Sequence, residues 1–381
     1  LLASTLHVLL EPYVDGLLAD LLLCFGDTHA DVREATQDAA RVLMRSLSGQ
    51  CLKLILPSLL DGLDEKQWRT KKGAVELLGA MAFCAPRQLS AALPTIIPRL
   101  SEVLTDSHRQ VSAAANQSLK QFGEVIHNPE IHALVPSILK ALVDPNAKTA
   151  LALKGLLRTK FVHYIDAPSL ALIAPIIERG LRERTVLLQK QAAQIVGHLA
   201  SLTDARDYVP YLAKLTPLVR VVLVSPVPDA RGVAAKALGT LVERLGEVHF
   251  VDLVPSLLQV LRTDATGVDR HGAAQGLAEV LAGLGMERME RLLPTIIENT
   301  QDSTPYVREG HLALLIYLPA TFGARFLPHL QRIVPPIVAS MADEIESVRE
   351  ASLRAGRMLI TNYTQRSVDP VSYTHLRAHE T

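Results

Sequence analysis

Two histidines four residues apart, His375 and His379 in "HLRAH", have the i, i+4 spacing that puts imidazoles on one face of a helix, where they could hold a metal. Cys84 in "AFCAP" stands at a helix end, where a small buried residue is a far commoner reading than a nucleophile. The remaining chemistry is cationic. From Pro145 through Ile165 the chain carries Lys148, Lys154, Arg158 and Lys160 and no acid. Lys154 and Arg158 are i, i+4 neighbours, so part of that charge shares a face and could meet a phosphate backbone. The alternative is a solvated face whose counter-charges come from neighbouring segments. A second cluster, Arg69, Lys71 and Lys72 with Lys66, surrounds the single Trp68. An exposed Trp between bases suits stacking on an unpaired nucleobase, whereas a Trp packed between helices has a structural role.

No GxxxxGK[ST], GxSxG or HExxH motif is present, and no GxGxxG follows a strand, so neither catalysis nor a cofactor is expected. Lysine plus arginine balance aspartate plus glutamate at 39 each, so any polyanion would have to be met by a local patch. Cys24, Cys51 and Cys84 form no disulfide framework, which fits a reducing, cytoplasmic setting. The apolar run "GLLADLLLCFG" is cut by Asp20, so no transmembrane segment is expected. A chain that opens on Leu, as if inside a helix, reads as a piece of something longer.

What positions these residues is a repeat. The words "LPSLLDGLDE", "VPSILKALVD", "VPSLLQVLRT" and "LPTIIENTQD" recur with their prolines (Pro57, Pro98, Pro136, Pro175, Pro217, Pro255, Pro294, Pro335) 38 to 42 residues apart, and a copy without proline lies around Ala19. Eight residues beyond that position stands an acid in most copies, among them Asp27, Asp302 and Asp343. Six residues later stands a base, as in Arg33, Arg308 and Arg349. Leu and Ala dominate and aromatics are 4%, which favours helix.

Each copy therefore predicts a helical hairpin whose first helix ends near the acid and whose second is rich in Ala and Gly. Proline is expected in the first turn of the first helix or at a kink. One hairpin cannot cover its own apolar face, so nine of them stack, with acids and bases forming a ladder at the turns. This is the HEAT-repeat pattern: an all-α solenoid expected to run continuously over residues 1–365. Residues 366–381 lack the pattern and look like foreign sequence or a disordered tail, which takes the "HLRAH" pair out of consideration.

Three segments are more specific than generic HEAT words. "DEKQWRTKKGAVELLGAMAFCAP" from Asp64, "TKFVHYIDAPSLALIAPIIERGL" from Thr159 and "DRHGAAQGLAEVLAGLG" from Asp269 resemble the large HEAT-repeat translational activators of the general-control pathway. The central region of those activators is similar to the HEAT domain of fungal elongation factor three. The resemblance implies a cytosolic, ribosome-bound scaffold that senses stalled ribosomes. With an ATP-binding-cassette partner it would promote activation of the starvation-sensing kinase of initiation factor two α. Kinase contacts are expected outside this stretch. The ribosome-contacting candidates, chosen by charge, are Lys148, Lys154, Arg158 and Lys160, then Arg69, Lys71 and Lys72. A nuclear transport receptor or phosphatase scaffold is the alternative; transport receptors are typically more acidic than this neutral chain.

Overall fold

The computed structural model describes residues 5–84 and 86–363. His375, His379 and the expected tail lie outside them, and so does the side chain of Cys84. The described residues form nine consecutive helical hairpins. In chain order they are α1 Val14–Phe25 with α2 Ala30–Ser46, α3 Cys51–Asp61 with α4 Trp68–Cys84, and α5 Pro86–Val103 with α6 Arg109–Glu124. Next come α7 Pro129–Val143 with α8 Pro145–Arg158, α9 Ala167–Arg182 with α10 Val186–Leu202, and α11 Ala205–Leu223 with α12 Pro228–Leu245. The last three are α13 Leu253–Leu261 with α14 Gly267–Leu284, α15 Met286–Asn299 with α16 Pro305–Phe322, and α17 Leu330–Ser340 with α18 Glu346–Tyr363. This is an all-α HEAT-repeat solenoid fold. The hairpins fall into two compact units, residues 1–182 with 202–214, and residues 183–201 with 215–381.

Pro255, the third residue of α13, sits in a first turn as expected, but most of the signature prolines do not. Pro136 lies deep inside α7, Pro175 inside α9 and Pro294 inside α15, each with turns of helix on both sides. The first helices begin earlier than the prolines suggest. In α7 the real start is marked by Asn128, whose side chain accepts from the Ile131 N–H, followed by Pro129 in the first turn. An interior proline removes one backbone hydrogen bond, so these positions are where the first helices can bend.

The acid and the base have local duties before any ladder. The acid's Oδ1 accepts the N–H two residues on: His29 to Asp27 at 2.7 Å, His108 to Asp106 at 2.8 Å, Thr304 to Asp302 at 2.8 Å and Ile345 to Asp343 at 2.9 Å. This Asx-type turn stops the first helix and turns the chain toward the second. The base then reaches back over its own turn. Arg33 donates to the carbonyls of Asp27 and Thr28, Arg231 to those of Ser225 and Pro226, Arg308 to those of Asp302 and Ser303, and Arg349 to those of Asp343 and Glu344. Carbonyls of the turn between the two helices are thus satisfied by a cation from the second.

Only some bases also bridge to the next hairpin. Lys71 meets Asp106 at 2.9 Å, Arg308 meets Asp343, and Lys190 meets Asp229. Arg33 makes no ion pair among the described residues; there Gln67 spans the gap, donating to the Gly26 carbonyl at 2.6 Å. In the second unit Arg270 and Glu309 pair at 2.8 Å with side chains only 9% and 11% exposed.

Small residues set the spacing of the second helices. A Cβ on Gly239 of α12 would lie 2.6 Å from the Glu279 carbonyl oxygen of α14, and one on Gly283 of α14 would lie 2.5 Å from that of Gly239. The stretch that meets membrane-spanning length is not the N-terminal run. Residues Pro305–Ser340 contain a window long and apolar enough to cross a membrane, and 61% of that window is buried inside the fold, as in a core helix.

Candidate functional site

Hairpin four departs from the others. Its two helices are separated by Asp144 alone, whereas hairpins three and eight use five residues between theirs. Asp144 caps α8 by accepting from the Ala147 N–H at 3.3 Å, and Pro145 takes the first helical position, so α8 starts at once. The helix is 14 residues long and ends before Lys160, which stands in the segment leading to α9 and not on the helix itself.

Lys154, Arg158 and Lys160 are exposed, and none of them makes an ion pair among the described residues. Lys148 is separate from them. At about 100° per residue it lies roughly 120° around α8 from Lys154. It is half-buried and lines a hollow against α6 and α7. The four cations therefore form a group of three and an outlier.

The segment after α8 completes the site. His163 Nδ1 lies 2.7 Å from Glu130, the Val162 N–H donates to the same carboxylate, and the Asn128 amide donates to the Tyr164 carbonyl at 3.0 Å. Ile165 donates to the Leu202 carbonyl at 2.9 Å and forms a bridge with Thr203. Pinned at those points, the loop presents Val162 at 80% and Tyr164 at 77% exposure. Glu130 is held below the usual carboxylate range, chiefly by its hydrogen bond to His163. Unpaired cations beside a fixed, exposed aromatic ring are suited to phosphates with a base stacked alongside. Sequence reading singled out "TKFVHYIDAP" only as a family word. The clue it passed over was Val162 and Tyr164 in a segment with no helical period.

The second cluster divides differently. Lys71 is taken up by Asp106, whose carboxyl is held low first by the His108 N–H and then by Lys71. Trp68 stacks on His108 with ring centroids 3.8 Å apart, and the Arg69 guanidinium sits 4.7 Å from its centroid, so the Trp has a packing role at the next hairpin's turn. Lys72 pairs with Glu76 at 3.5 Å. Arg69 and Lys72 nevertheless line polar hollows together with Arg33, Arg41 and Arg45 of α2. The i, i+4 pair Arg41 and Arg45 was the available signal for that neighbour. Among the described residues no group of three or more His, Cys, Asp or Glu is placed to hold a metal ion.

The model of the EF3 N-terminal HEAT repeat matches residues 1–119, and that of the elongation factor 3/GNC1 HEAT repeat matches residues 148–252, which include most of α8 and the pinned loop. Over 370 residues the chain is 52% identical to the human protein named stalled ribosome sensor GCN1, covering 97% of this chain. It is 46% identical over 368 residues to the eIF-2-alpha kinase activator GCN1 of Saccharomyces cerevisiae, again 97% of this chain. The chain belongs to this GCN1 family of HEAT-repeat proteins.

Within the family the chain spans a small part, 14% of the length of each of those two relatives. Its stretch is the part that is elongation-factor-three-like: Elongation factor 3 of Candida albicans is 30% identical over 260 residues, 67% of this chain and 24% of that protein.

Proposed function

We propose that this chain is a ribosome-contacting segment of a non-enzymatic scaffold of translational control, and that Lys154, Arg158, Lys160 and Tyr164 meet ribosomal RNA. The observation that carries this reading is the set of three unpaired cations running into a loop whose exposed tyrosine is fixed by Glu130, Asn128 and Leu202. Support of a coarser kind comes from the family, whose members are named as a stalled ribosome sensor and as kinase activators. In this reading the chain works in the cytoplasm without a cofactor. The kinase of initiation factor two α and an ATP-binding-cassette partner act through the full-length protein, the kinase outside this stretch. Arg69 and Lys72, with Arg41 and Arg45, form a second and weaker contact, since Arg41 and Lys72 already have acidic partners in Asp38 and Glu76.

The test is co-sedimentation of the chain with purified ribosomes over a potassium chloride series. Wild type is compared with the triple variant Lys154→Glu, Arg158→Glu, Lys160→Glu. Binding that weakens with salt and is lost in the variant is the expected result. Equal binding by both proteins would remove the site assignment, and no binding at low salt would remove the ribosome-contact reading for this segment.

A further inference from the structure

Several second helices of successive hairpins lie directly against one another. In the first unit α4 packs along α6; in the second unit α12, α14, α16 and α18 form an unbroken row. Between α6 and α8 the row is interrupted. Because the hairpin-four turn is Asp144 alone, α8 packs on α7 and α9 and makes no comparable contact with α6. An open groove of about 550 Å³ is left between α6, α7 and the start of α8.

The chemistry of the groove is specific. Its floor is apolar, built from Val135, Leu139 and Val143 of α7, with α6 close alongside at Gly123, where a Cβ would come within 2.8 Å of Val135. Lys120, Lys140 and Lys148 stand around it, and none makes an ion pair among the described residues. Two acids also line it, Glu124 and Asp144, and the Asp144 carboxylate is engaged as the cap of α8. A groove where a neighbouring helix would ordinarily pack has the breadth of one helix, since packed helix axes lie about 8–10 Å apart. An apolar floor rewards apolar side chains, whereas a nucleic-acid backbone would leave it uncovered. The surrounding ammonium groups select acids at the flanks of the occupant.

We infer that this groove is a docking site for an amphipathic helix of a partner protein. Its apolar stripe seats on Val135, Leu139 and Val143, and its flanking carboxylates meet Lys120, Lys140 and Lys148. The site is independent of the proposed ribosome contact, because it depends on neither Lys154, Arg158 nor Lys160.

The experiment uses the whole chain and two labelled 18-residue helical peptides, one of Leu, Ala and Glu with the apolar residues on one face, the other with each Glu replaced by Lys. Fluorescence polarisation is expected to show binding of the acidic peptide and none of its basic twin. The double variant Lys120→Glu, Lys140→Glu and the single variant Val143→Glu should each weaken binding at least tenfold. All three side chains are exposed, so thermal melting should match wild type, and ribosome co-sedimentation of the double variant should be unchanged. The inference is overturned if both peptides bind alike, if neither binds, or if the variants leave affinity unaltered. It is equally overturned if an 18-residue oligouridylate displaces the peptide, which would make the groove a phosphate site.

Discussion

Arg308 holds Asp343 with two nitrogens, Nε at 2.8 Å and Nη2 at 2.9 Å, while its Nη1 donates to the carbonyls of Asp302 and Ser303. One side chain therefore closes its own turn and ties the hairpin to the next. Both partners are largely buried, so removing one leaves the other short of its counter-charge. Arg308→Ala should cost about 3 kcal/mol, the low end for breaking a buried pair. Arg308→Lys should recover less than half of that, because an ammonium cannot serve both carbonyls and a carboxylate in one plane. Urea unfolding measures the cost, and amide exchange should localise the loosening to α17 and α18. Equal stability of the Lys variant and wild type would refute the double duty.

Acidification should loosen the turns. Asp343 is held below the usual carboxylate range chiefly by Arg308; Asp106 and Asp302 are held low chiefly by the N–H groups of His108 and Thr304. A carboxyl that binds its proton less readily folded than unfolded stabilises the fold at neutral pH. That contribution disappears as pH falls below about 4 and through the folded-state values. The urea midpoint should therefore drop between pH 5 and pH 3. In Asp343→Asn the midpoint should start lower and fall less steeply, and parallel curves would show that Asp343 does not contribute to the pH dependence.

Two glycine replacements should act in opposite directions. Gly239→Ala drives a methyl group against the Glu279 carbonyl, and overpacking of that kind costs about 1–3 kcal/mol. Gly16, in α1, has open space around its Cβ position, so Gly16→Ala should stabilise by roughly 1 kcal/mol through helix propensity. Melting temperatures shifted in the same direction would contradict the close approach of α12 and α14.

If Tyr164 stacks on a base, Tyr164→Ala should weaken binding to ribosomes or to oligouridylate by about 1–3 kcal/mol with no change in salt dependence. Lys154→Ala should instead weaken binding and lower the slope of log K against log salt by about 1, the mark of one lost phosphate contact. Tyr164→Ala binding as tightly as wild type would remove the ring from the interface.

The hairpins were legible in sequence because acid, base and proline recur at fixed offsets, and their count follows from the spacing. The place of the prolines within the helices was not legible, since Asn128 and Pro129 mark the start of α7 only once the chain is known to be helical on both sides of Pro136. The base's grip on its own turn was missed because a spacing of six residues from acid to base is equally compatible with a bridge to the next hairpin. At the site, charge drew attention to α8. It could not separate Lys148 from the other three cations, because the division depends on helix rotation and on a groove made by residues of α6. Lys71 and Lys72 carried the same sequence signal as Lys154, and only three-dimensional neighbours, Asp106 and Glu76, distinguish them.

The single-residue turn at Asp144 has a further consequence for how the chain finds its order. Nine hairpins of similar length and pattern present nearly interchangeable faces, and arrays of that kind misassemble by pairing a unit with the wrong neighbour. Hairpin four breaks the equivalence: no other described hairpin has a one-residue turn, and the segment after it is pinned by Glu130, Asn128 and Leu202. A unit that differs in its turn is harder to exchange with its neighbours, so hairpin four marks one distinguishable position in an otherwise repetitive chain.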